Sequence, residues 1–368
     1  MFEYDELIDK AKSAILEKNM HKNLFKHRFF EKGNTPFIVA EMSGNHNQSL
    51  EKALDIVAAA AKSGCHGLKI QTYTADTMTI DCKSDLFCIN DKNSLWNGFS
   101  LHKLYQIACT PWEWHAPIFK RCKALGLVGF STPFDETAVD FLESIDTPIY
   151  KISSFENTDS QLIDKVASTG KPMIISTGMA TVSELDETVR VAKESGCKDL
   201  TLLKCTSSYP SPPDESNLLT IPHLKQMFDV TVGLSDHTLG IGIAIASIAL
   251  GAQVIEKHFT LNRAEGGVDA PFSLEPNEMQ LLVDECKKAY KALGRINYGP
   301  TNNEKDSLVF RRSIFAVSDI KKGEIFSERN IRCIRPGQGL PPKYFKIIVG
   351  KKASQDIERG TPINWNYF

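Results

Sequence analysis

One pattern recurs along this chain of 368 residues and limits its fold more than any other feature. A helical stretch ends in glycine, and a short run that favours β-strand follows within a few positions. Glycine is common just past a helix end because it adopts positive φ at little cost. The runs are continuously apolar rather than alternating, which indicates buried parallel strands. The stretches are AKSGCHGLKIQTY (61–73), CKALGLVGFSTPF (122–134), ASTGKPMIISTG (167–178), AKESGCKDLTLLKCTSSYP (192–210) and ALGAQVIEKHFT (249–260).

Three further runs fit between these stretches: PFIVAEMS (36–43), PIYKISSFE (148–156) and VTVGLSDH (230–237). Together they predict eight strands separated by segments of helix length. Eight such units predict an α/β fold of the (β/α)8 TIM-barrel type. A doubly wound open sheet is the alternative, but Gly240-Ile241-Gly242 lacks the third glycine of the dinucleotide fingerprint of that fold.

The pattern also predicts how the chain is divided. Apolar residues at helical spacing (Leu7, Ile8, Ala11, Ala14 and Ile15) predict a helix over residues 4–18, within an N-terminal extension. A last helix over 275–293 closes the barrel. The predicted parts are an extension over 1–35, a barrel over 36–295, a linker over 296–310 and a small domain of short strands and turns over 311–368.

Composition excludes several classes of protein. The chain has 42% hydrophobic and 24% charged residues and a net charge of −2. These values are ordinary for globular proteins and leave no basic face for nucleic acid. Its 9 cysteines form no C-x-x-C pair, which argues against a disulfide framework or a zinc ribbon and favours the cytoplasm. The uncharged segment 239–255 is shorter than the ~20 apolar residues of a membrane span, so we predict no membrane association.

Polar side chains end all of the predicted strands. In a barrel these ends face the active site, and buried polar groups cost free energy unless they have partners. A single bound ligand could provide partners for many of these polar side chains at once. In strand order the ends carry Glu41, Lys69 with Gln71, Ser131 with Thr132, Lys151 with Ser154, Ser176 with Thr177, Thr206 with Ser207, Ser235 with His237, and Glu256 with His258.

Two histidines, His237 and His258, end the last two predicted strands, which are neighbours. Two imidazoles with open coordination positions suit a catalytic divalent metal ion better than a structural one. The alternative is that each histidine is a hydrogen-bonded residue at the barrel mouth. We interpret the pair as metal ligands.

Two lysines and a carboxylate suggest the rest of the chemistry. Lys69 and Lys151 lie in apolar strands, where an ammonium group is costly to bury without an anion. They could neutralise a phosphate and a carboxylate, pair internally with Glu41 or Glu256, or form a Schiff base as in class I aldolases. Glu41 could act as a general acid or base, or serve only as a structural partner for a lysine.

The strings AEMSGNHN, LKIQTY, YKISSFE, ISTGM, GLSDHTLG and IEKHF resemble those of the sialic acid synthase family, in order and with similar spacing. The resemblance covers residues 36–368, and the C-terminal part resembles the antifreeze-like (SAF) domain. It implies a TIM barrel followed by an SAF domain, in a homodimer with swapped SAF domains. It also implies a divalent metal, Mn(II) before Mg(II) or Co(II), and two substrates, phosphoenolpyruvate and an acylated amino sugar in its open-chain form.

Carried over by position, the resemblance implies a role for each of several residues. It makes His237 and His258 the metal ligands and Glu41 the acid-base carboxylate, with Lys69 and Lys151 as the other catalytic groups. The implied phosphoenolpyruvate contacts are Lys69, Thr132, Lys151, Ser154, Ser176 and Ser235, with Ser207 at a position where the N-acetylneuraminate enzymes have asparagine. The implied sugar contacts are Gln71, Glu156, Tyr209, Asp269 and, from the partner subunit's small domain, Arg335.

Other strings indicate a branch of the family. SLWNGFSLHKLYQIACTPWEWH (94–115) resembles the pseudaminic acid synthases, and CTSSYP (205–210) and GGVDAPFSLEP (266–276) depart from the N-acetylneuraminate enzymes. The implied acceptor is 2,4-diacetamido-2,4,6-trideoxy-L-altrose, and the implied products are pseudaminic acid and phosphate, released by C–O cleavage. An N-acetylneuraminate or legionaminate synthase, a non-catalytic carbohydrate-binding protein and a Schiff-base aldolase are the alternatives.

Overall fold

The computed structural model describes residues 35–92 and 94–368. The helix predicted over 4–18 lies outside the described residues. The chain divides into two compact units, of which the first ends at Gly294 and the second is Arg295–Phe368. The segment predicted as a linker, 296–310, groups with the second unit and contains two 3-10 turns, Asn302–Glu304 and Asp306–Phe310.

Eight parallel strands form a closed barrel in sequence order, which confirms the predicted fold class. The last strand pairs with the first, so that Val254 lies beside Phe37 and His258 beside Glu41. The strands are β1 (Phe37–Glu41), β2 (Gly67–Thr72), β3 (Val128–Pro133), β4 (Tyr150–Ile152), β5 (Met173–Ser176), β6 (Leu200–Cys205), β7 (Thr231–Asp236) and β8 (Val254–His258).

Helices follow the strands and cover the outside of the barrel. They are α1 (Leu50–Lys62), α2 (Ala75–Met78), α3 (Leu101–Ala108), α4 (His115–Ala124), α5 (Glu136–Ser144), α6 (Ser160–Ser168), α7 (Val182–Glu194), α8 (Thr220–Phe228), α9 (Gly242–Ala249) and α10 (Pro276–Leu293). The 3-10 turns between these elements are Asp85–Phe87, Trp112–Trp114, Pro213–Glu215, Arg263–Glu265 and Ala270–Phe272. Over residues 35–92 and 94–368, no helix has the length and apolar character of a membrane span.

Local sequence explains where several helices begin. The side chains of Ser49, Ser100 and Asp159 each accept a hydrogen bond from a backbone amide in the first turn of the helix that follows. Thr181 and Glu184 form a reciprocal capping box at the start of α7. Such caps satisfy amides that have no partner within the helix. The helix starts are therefore encoded within a few residues.

Apolar side chains fill the barrel and the layer between its strands and helices. Inside the barrel the packed residues are Phe37, Val39, Phe130, Ile149, Ile174, Leu203 and Val254. Alternate residues of the same strands, such as Ile38 and Ile175, pack against the helices. At Gly233 the neighbouring strand passes so close that a Cβ atom would lie 2.2 Å from the carbonyl oxygen of Val254.

The second unit has a small core of its own. Two antiparallel strands, β9 (Ser313–Ala316) and β10 (Ile331–Ile334), form its sheet. A 3-10 turn at Pro342–Tyr344 leads into a short helix, α11 (Phe345–Ile348), and another 3-10 turn, Trp365–Tyr367, comes near the last residue. Ile314, Phe326 and Ile363 are fully buried in it. Isolated bridges between distant segments, such as Ile320 with Ile357, hold the remaining turns together.

A buried ion pair links the last two barrel strands on their helix-facing side. The Lys257 ammonium lies 2.7 Å from Asp236 Oδ2, and both side chains are at most 1% exposed. The ammonium also donates to the Thr238 carbonyl oxygen. The other carboxylate oxygen accepts from the Thr238 amide at 2.9 Å and from its hydroxyl at 2.8 Å. The pair therefore orients the loop that follows β7.

We expect Lys257→Met to destabilise the barrel by about 3 to 5 kcal/mol, because it leaves the Asp236 carboxylate buried without its counter-charge. Urea denaturation followed by circular dichroism measures the change. The double variant Lys257→Met/Asp236→Asn should recover part of the loss. Lys288→Met, which removes a surface lysine paired with Glu285 on α10, should leave the urea midpoint near that of the wild type. Equal midpoints for Lys257→Met and Lys288→Met would contradict this prediction.

Candidate active site

The carboxyl ends of β1, β2 and β8 bring three buried charged groups together. The Lys69 ammonium lies 2.8 Å from Glu41 Oε2 and 3.7 Å from Glu256 Oε1. It also donates to the Thr132 hydroxyl at 3.3 Å, at the end of β3. The Gln71 amide donates to Glu41 Oε1 at 3.2 Å and holds that carboxylate in place. The sequence predicts all five side chains at strand ends, and the barrel brings them into one network.

A second lysine also approaches the Glu256 carboxylate. The Lys151 ammonium on β4 lies 3.8 Å from Glu256 Oε1 and donates to the Ser176 hydroxyl at 2.7 Å. The Ser235 hydroxyl donates to Glu256 Oε1 at 3.1 Å. Glu256 therefore lies between two ammonium groups, and its Oε2 atom is buried with no hydrogen-bond partner among the described residues. Internal pairing of the lysines, one of the alternatives raised by the sequence, is thus observed.

Burial and these contacts shift the proton affinities of the cluster. Burial raises the pKa of Glu41 to about 7, although the adjacent Lys69 ammonium acts in the opposite direction. Burial disfavours the Lys69 ammonium, but the carboxylates of Glu256 and Glu41 outweigh it and raise the pKa of Lys69. Burial lowers the pKa of Lys151, with Glu256 opposing the shift. Glu41 is therefore the member of the cluster able to exchange a proton near neutral pH.

A pair of hydroxyl groups extends the polar surface beyond Lys151. The Ser207 hydroxyl, after β6, donates to the Ser154 hydroxyl, after β4, at 2.8 Å. Gly178, after β5, lies against this pair with φ +49°, in the left-handed region. A Cβ atom on Gly178 would lie 2.5 Å from Ser154 Cβ and 3.0 Å from Ser207 Oγ. Only glycine combines this backbone conformation with the close approach of the two serines.

The two predicted metal ligands lie together at the ends of β7 and β8. The ring centroids of His237 and His258 are 5.3 Å apart. Tyr209 packs 4.3 Å from the His237 ring, and Phe272 packs 4.8 Å from the His258 ring. His237 Nδ1 lies 2.8 Å from the Thr206 carbonyl oxygen, which can only accept, so this nitrogen carries the proton. Burial disfavours the charged ring, but Cys205 and the Thr206 carbonyl outweigh it and raise the pKa of His237. When the ring is neutral, its lone pair is on Nε2 and is left for another partner.

His258, the second histidine of the pair, has a buried ring nitrogen without a hydrogen-bond partner among the described residues. That nitrogen is Nδ1, and Asp269 Oδ2 lies 3.8 Å away. Burial lowers the pKa of His258 well below its ordinary value, so its ring is neutral. Among the residues that the structure describes, no group of three or more histidine, cysteine or acidic side chains is arranged to hold a metal. The pair fits an open site whose other ligands are substrate or water.

The predicted sugar contacts are only partly assembled in the barrel. Gln71, Tyr209 and Asp269 lie next to the charged cluster and the histidine pair. Glu156 accepts a hydrogen bond from Ser153 in the loop after β4, and burial raises its pKa. Arg335 follows β10 in the second unit and is exposed there.

Two residues of this site receive no role from the sequence. Glu256 lies within β8. The sequence pattern predicts only a polar group near the strand end or a partner for one lysine, yet Glu256 is shared by Lys69 and Lys151. The Cys205 sulfur lies 4.0 Å from His237 Nδ1. The position of Glu256 two residues before His258 on a buried strand is the available signal, because both side chains then face the barrel interior.

Comparisons with known proteins identify the family of this chain. The NeuB family matches residues 56–298, and the SAF domain matches residues 311–368. Pseudaminic acid synthase of Campylobacter jejuni (serotype O:23/36, strain 81-176) is 44% identical, with 90% of this chain and 96% of that protein covered. Pseudaminic acid synthase of Helicobacter pylori is also 44% identical, over 89% and 96%. N,N'-diacetyllegionaminic acid synthase of Campylobacter jejuni is 37% identical, over 87% and 96%.

Solved structures lead to the same fold. A crystal structure of N-acetylneuraminic acid synthetase from Leptospira borgpetersenii, in complex with citrate, has a TM-score of 0.67 and 30% identity, and covers 75% of this chain and 90% of that one. The spore coat polysaccharide biosynthesis protein SpsE of Bacillus subtilis has a TM-score of 0.60 and 33% identity, over 90% and 95%.

We expect Gly178→Ala to weaken anion binding at this site. The added methyl group must push Ser154 and Ser207 apart, and losing hydrogen bonds to a charged ligand lowers its affinity roughly tenfold or more. Isothermal titration with inorganic phosphate measures this. Gly240→Ala is the matched control, because Gly240 also has positive φ (+74°) but has open space around it in the described structure. If both variants bind phosphate as the wild type does, the two serines do not contact the anion.

Proposed function

This chain belongs to the NeuB family, and we propose that it condenses phosphoenolpyruvate with 2,4-diacetamido-2,4,6-trideoxy-L-altrose to give pseudaminic acid and phosphate. The relatives named pseudaminic acid synthase are more similar to this chain than those named legionaminic acid synthase, 44% against 37%. The observation that carries the proposal is the cluster at the barrel mouth. It contains two buried lysines, a carboxylate poised to exchange a proton and a pair of histidines that each offer a ring nitrogen.

The lysines support binding of phosphoenolpyruvate, which has two anionic groups, a phosphate and a carboxylate. Glu256 Oε1 lies 3.7 Å from the Lys69 ammonium and 3.8 Å from the Lys151 ammonium. These distances are too long for a hydrogen bond, so Glu256 offsets their charge without using all their donors. A phosphate and a carboxylate would satisfy the remaining N–H groups with stronger, charge-assisted bonds. The hydroxyl groups that complete such a pocket are those of Thr132, Ser154, Ser176, Ser207 and Ser235.

The chemistry then follows from the positions of these groups. Carbon 3 of phosphoenolpyruvate attacks the aldehyde carbon of the sugar, and the aldehyde oxygen takes up a proton. Water adds to carbon 2, and phosphate leaves with cleavage of the C–O bond. Lys69 and Lys151 stabilise the negative charge on the donor. Glu41 transfers the proton of the attacking water or of the new hydroxyl, which suits its raised pKa.

We also propose that His237 and His258 hold a divalent cation, Mn(II) before Mg(II) or Co(II). Such an ion supplies Lewis-acid polarisation of the aldehyde oxygen when it is bound. The bond from His237 to the Thr206 carbonyl orients that ring, and Tyr209 and Phe272 shield both rings from water.

The remaining parts of the proposal concern the sugar and the assembly. Gln71, Glu156, Tyr209 and Asp269 contact the acceptor, and Arg335 of the partner subunit completes its binding site in a homodimer with swapped SAF domains. A cytoplasmic location belongs to the same proposal, because phosphoenolpyruvate is a metabolite of the cell interior. An N-acetylneuraminate or legionaminate synthase would use the same machinery on another sugar.

A Schiff-base lyase is the second candidate, because burial lowers the pKa of Lys151 and so favours the free amine that forms an imine. Its hydrogen bond to Ser176 and its approach to Glu256 favour the ammonium instead. Borohydride added in the presence of substrate traps an imine if one forms, and an intact mass measurement detects it. We expect no such adduct.

The purified protein should release phosphate from phosphoenolpyruvate most efficiently with 2,4-diacetamido-2,4,6-trideoxy-L-altrose. N-acetylmannosamine, which has a single acetamido group, should give a kcat/KM lower by roughly 10² or more, because a site built for two acetamido groups is left with unpaired polar groups. The legionaminate precursor, supplied in parallel, should also give a lower kcat/KM, because its two acetamido groups are attached to a carbon chain of different configuration. In ¹⁸O-labelled water the label should enter the sugar acid and not the phosphate. Label in the phosphate would exclude C–O cleavage. No phosphate release with any of the three sugars would favour the non-catalytic alternative.

Mn(II) should raise the Tm of the wild-type protein after chelator treatment and dialysis. Binding at 100 times Kd is worth about 2.7 kcal/mol, which corresponds to a shift of several degrees for a domain of this size. His237→Asn and His258→Gln should each abolish the shift and the metal-dependent activity. His223→Gln, at an exposed histidine on α8, is the control and should keep both. A full Tm shift in both site variants would place the metal elsewhere.

A further inference from the structure

A cavity of about 480 Å³ lies beside the histidine pair, outside the charged cluster. It is enclosed by the loop after β1, the segment around α3 and the segment after β8. Its volume is within the range of small-molecule sites, roughly 300 to 1,000 Å³. The lining residues used below are Asn47, Gln48, Leu95, Trp96, Phe99, Ile107 and Val268.

Two wall residues of this cavity, Trp96 and Val268, adjoin residues of the candidate active site. The Trp96 indole donates to the Val268 carbonyl oxygen at 3.0 Å, and its ring lies 6.2 Å from the Tyr209 ring. Tyr209 packs on His237. Val268 directly precedes Asp269, whose carboxylate approaches His258. A molecule bound at the histidine pair therefore has this cavity as a neighbouring space on that side.

The walls are mostly apolar, and the side-chain amides of Asn47 and Gln48 are their polar groups. Leu95, Phe99 and Ile107 remain 46%, 40% and 37% exposed, although burial of such side chains is favourable. The Gln48 amide nitrogen donates to the carbonyl oxygens of Ile107 at 2.8 Å and Cys109 at 2.7 Å. Both of its N–H groups are thereby used, and its carbonyl oxygen remains to accept a bond from a ligand.

We propose that this cavity, the acyl pocket, receives an N-acyl substituent of the acceptor sugar and selects for it. The inference rests on the proposed function. An acetamido group combines a methyl group, which suits Leu95, Phe99 and Ile107, with an N–H donor, which suits the carbonyl oxygen of Gln48. Binding one methyl group in an apolar pocket changes specificity roughly 10- to 200-fold. The acyl pocket thus recognises the part of the sugar that distinguishes it from a plain hexose.

Changing the size of the pocket at one partly exposed position tests this. Ile107→Trp fills the pocket and should raise the KM for the diacetamido sugar at least tenfold, with the KM for phosphoenolpyruvate unchanged. Ile107→Ala enlarges it and should shift relative kcat/KM toward analogues that carry an N-butyryl group at carbon 2 or carbon 4. Ile80→Trp, at an exposed position outside the pocket (59% exposed), is the control for a new surface tryptophan.

The two variants at Ile107 have opposite expected effects, and a gain of activity with a longer acyl group does not arise from misfolding. Wild-type sugar KM and unaltered acyl preference in both variants would overturn the proposal. A change in subunit association by sedimentation, with sugar KM unaltered, would also overturn it and identify the cavity as a contact between copies of the chain. If the wild type releases no phosphate with any sugar, the proposed function itself is wrong. Phosphate release by the wild type therefore distinguishes a failure of the proposed function from a failure of the acyl-pocket proposal.

Discussion

Two buried lysines that share one carboxylate are the constraint around which the barrel mouth is organised. Lys69 on β2 and Lys151 on β4 both approach Glu256 on β8. An ammonium group is tolerated in a barrel interior only with a counter-charge or a bound anion. Glu256 approaches both ammonium groups at distances longer than a hydrogen bond, and Glu41 pairs with Lys69 at 2.8 Å, so that the lysines keep donors for a ligand. Much of the hydroxyl surface nearby, including Ser176 and Ser235, serves the same cluster.

The residues proposed for the reaction and those proposed to select the sugar lie in different parts of the fold. The lysines, Glu41, Glu256 and the histidines lie on or directly after barrel strands, where backbone pairing on both sides holds them rigidly. The acyl pocket is built from segments that follow the strands, including α3 and the residues around Trp96. Loops of this kind vary without disturbing the barrel. The same catalytic centre can thus serve several sugars when only these segments change.

Much of the fold could be predicted because its signals are local. A glycine after a helix and a continuous apolar run are signals that each span only about ten neighbouring residues. The strands predicted from these signals are all present in the barrel. The role of Glu256 could not be derived in the same way, because a glutamate near two lysines in a barrel is either a partner for one or free for chemistry. The structure shows that it approaches both lysines. The N-terminal helix remains a prediction outside the described residues.

The sequence by itself determined the eight strand-helix units, the polar residues at their ends and, through its resemblance, the family. Tertiary structure alone decided which of those polar residues touch. Pairing of β1 with β2 places Glu41 beside Lys69, and closure of the barrel between β1 and β8 places Glu41 beside His258. The Thr206 carbonyl at the end of β6 holds Nδ1 of His237 at the end of β7. These contacts join residues that are far apart in the chain, and the approach of Lys69 on β2 to Glu256 on β8 in particular requires the closed barrel.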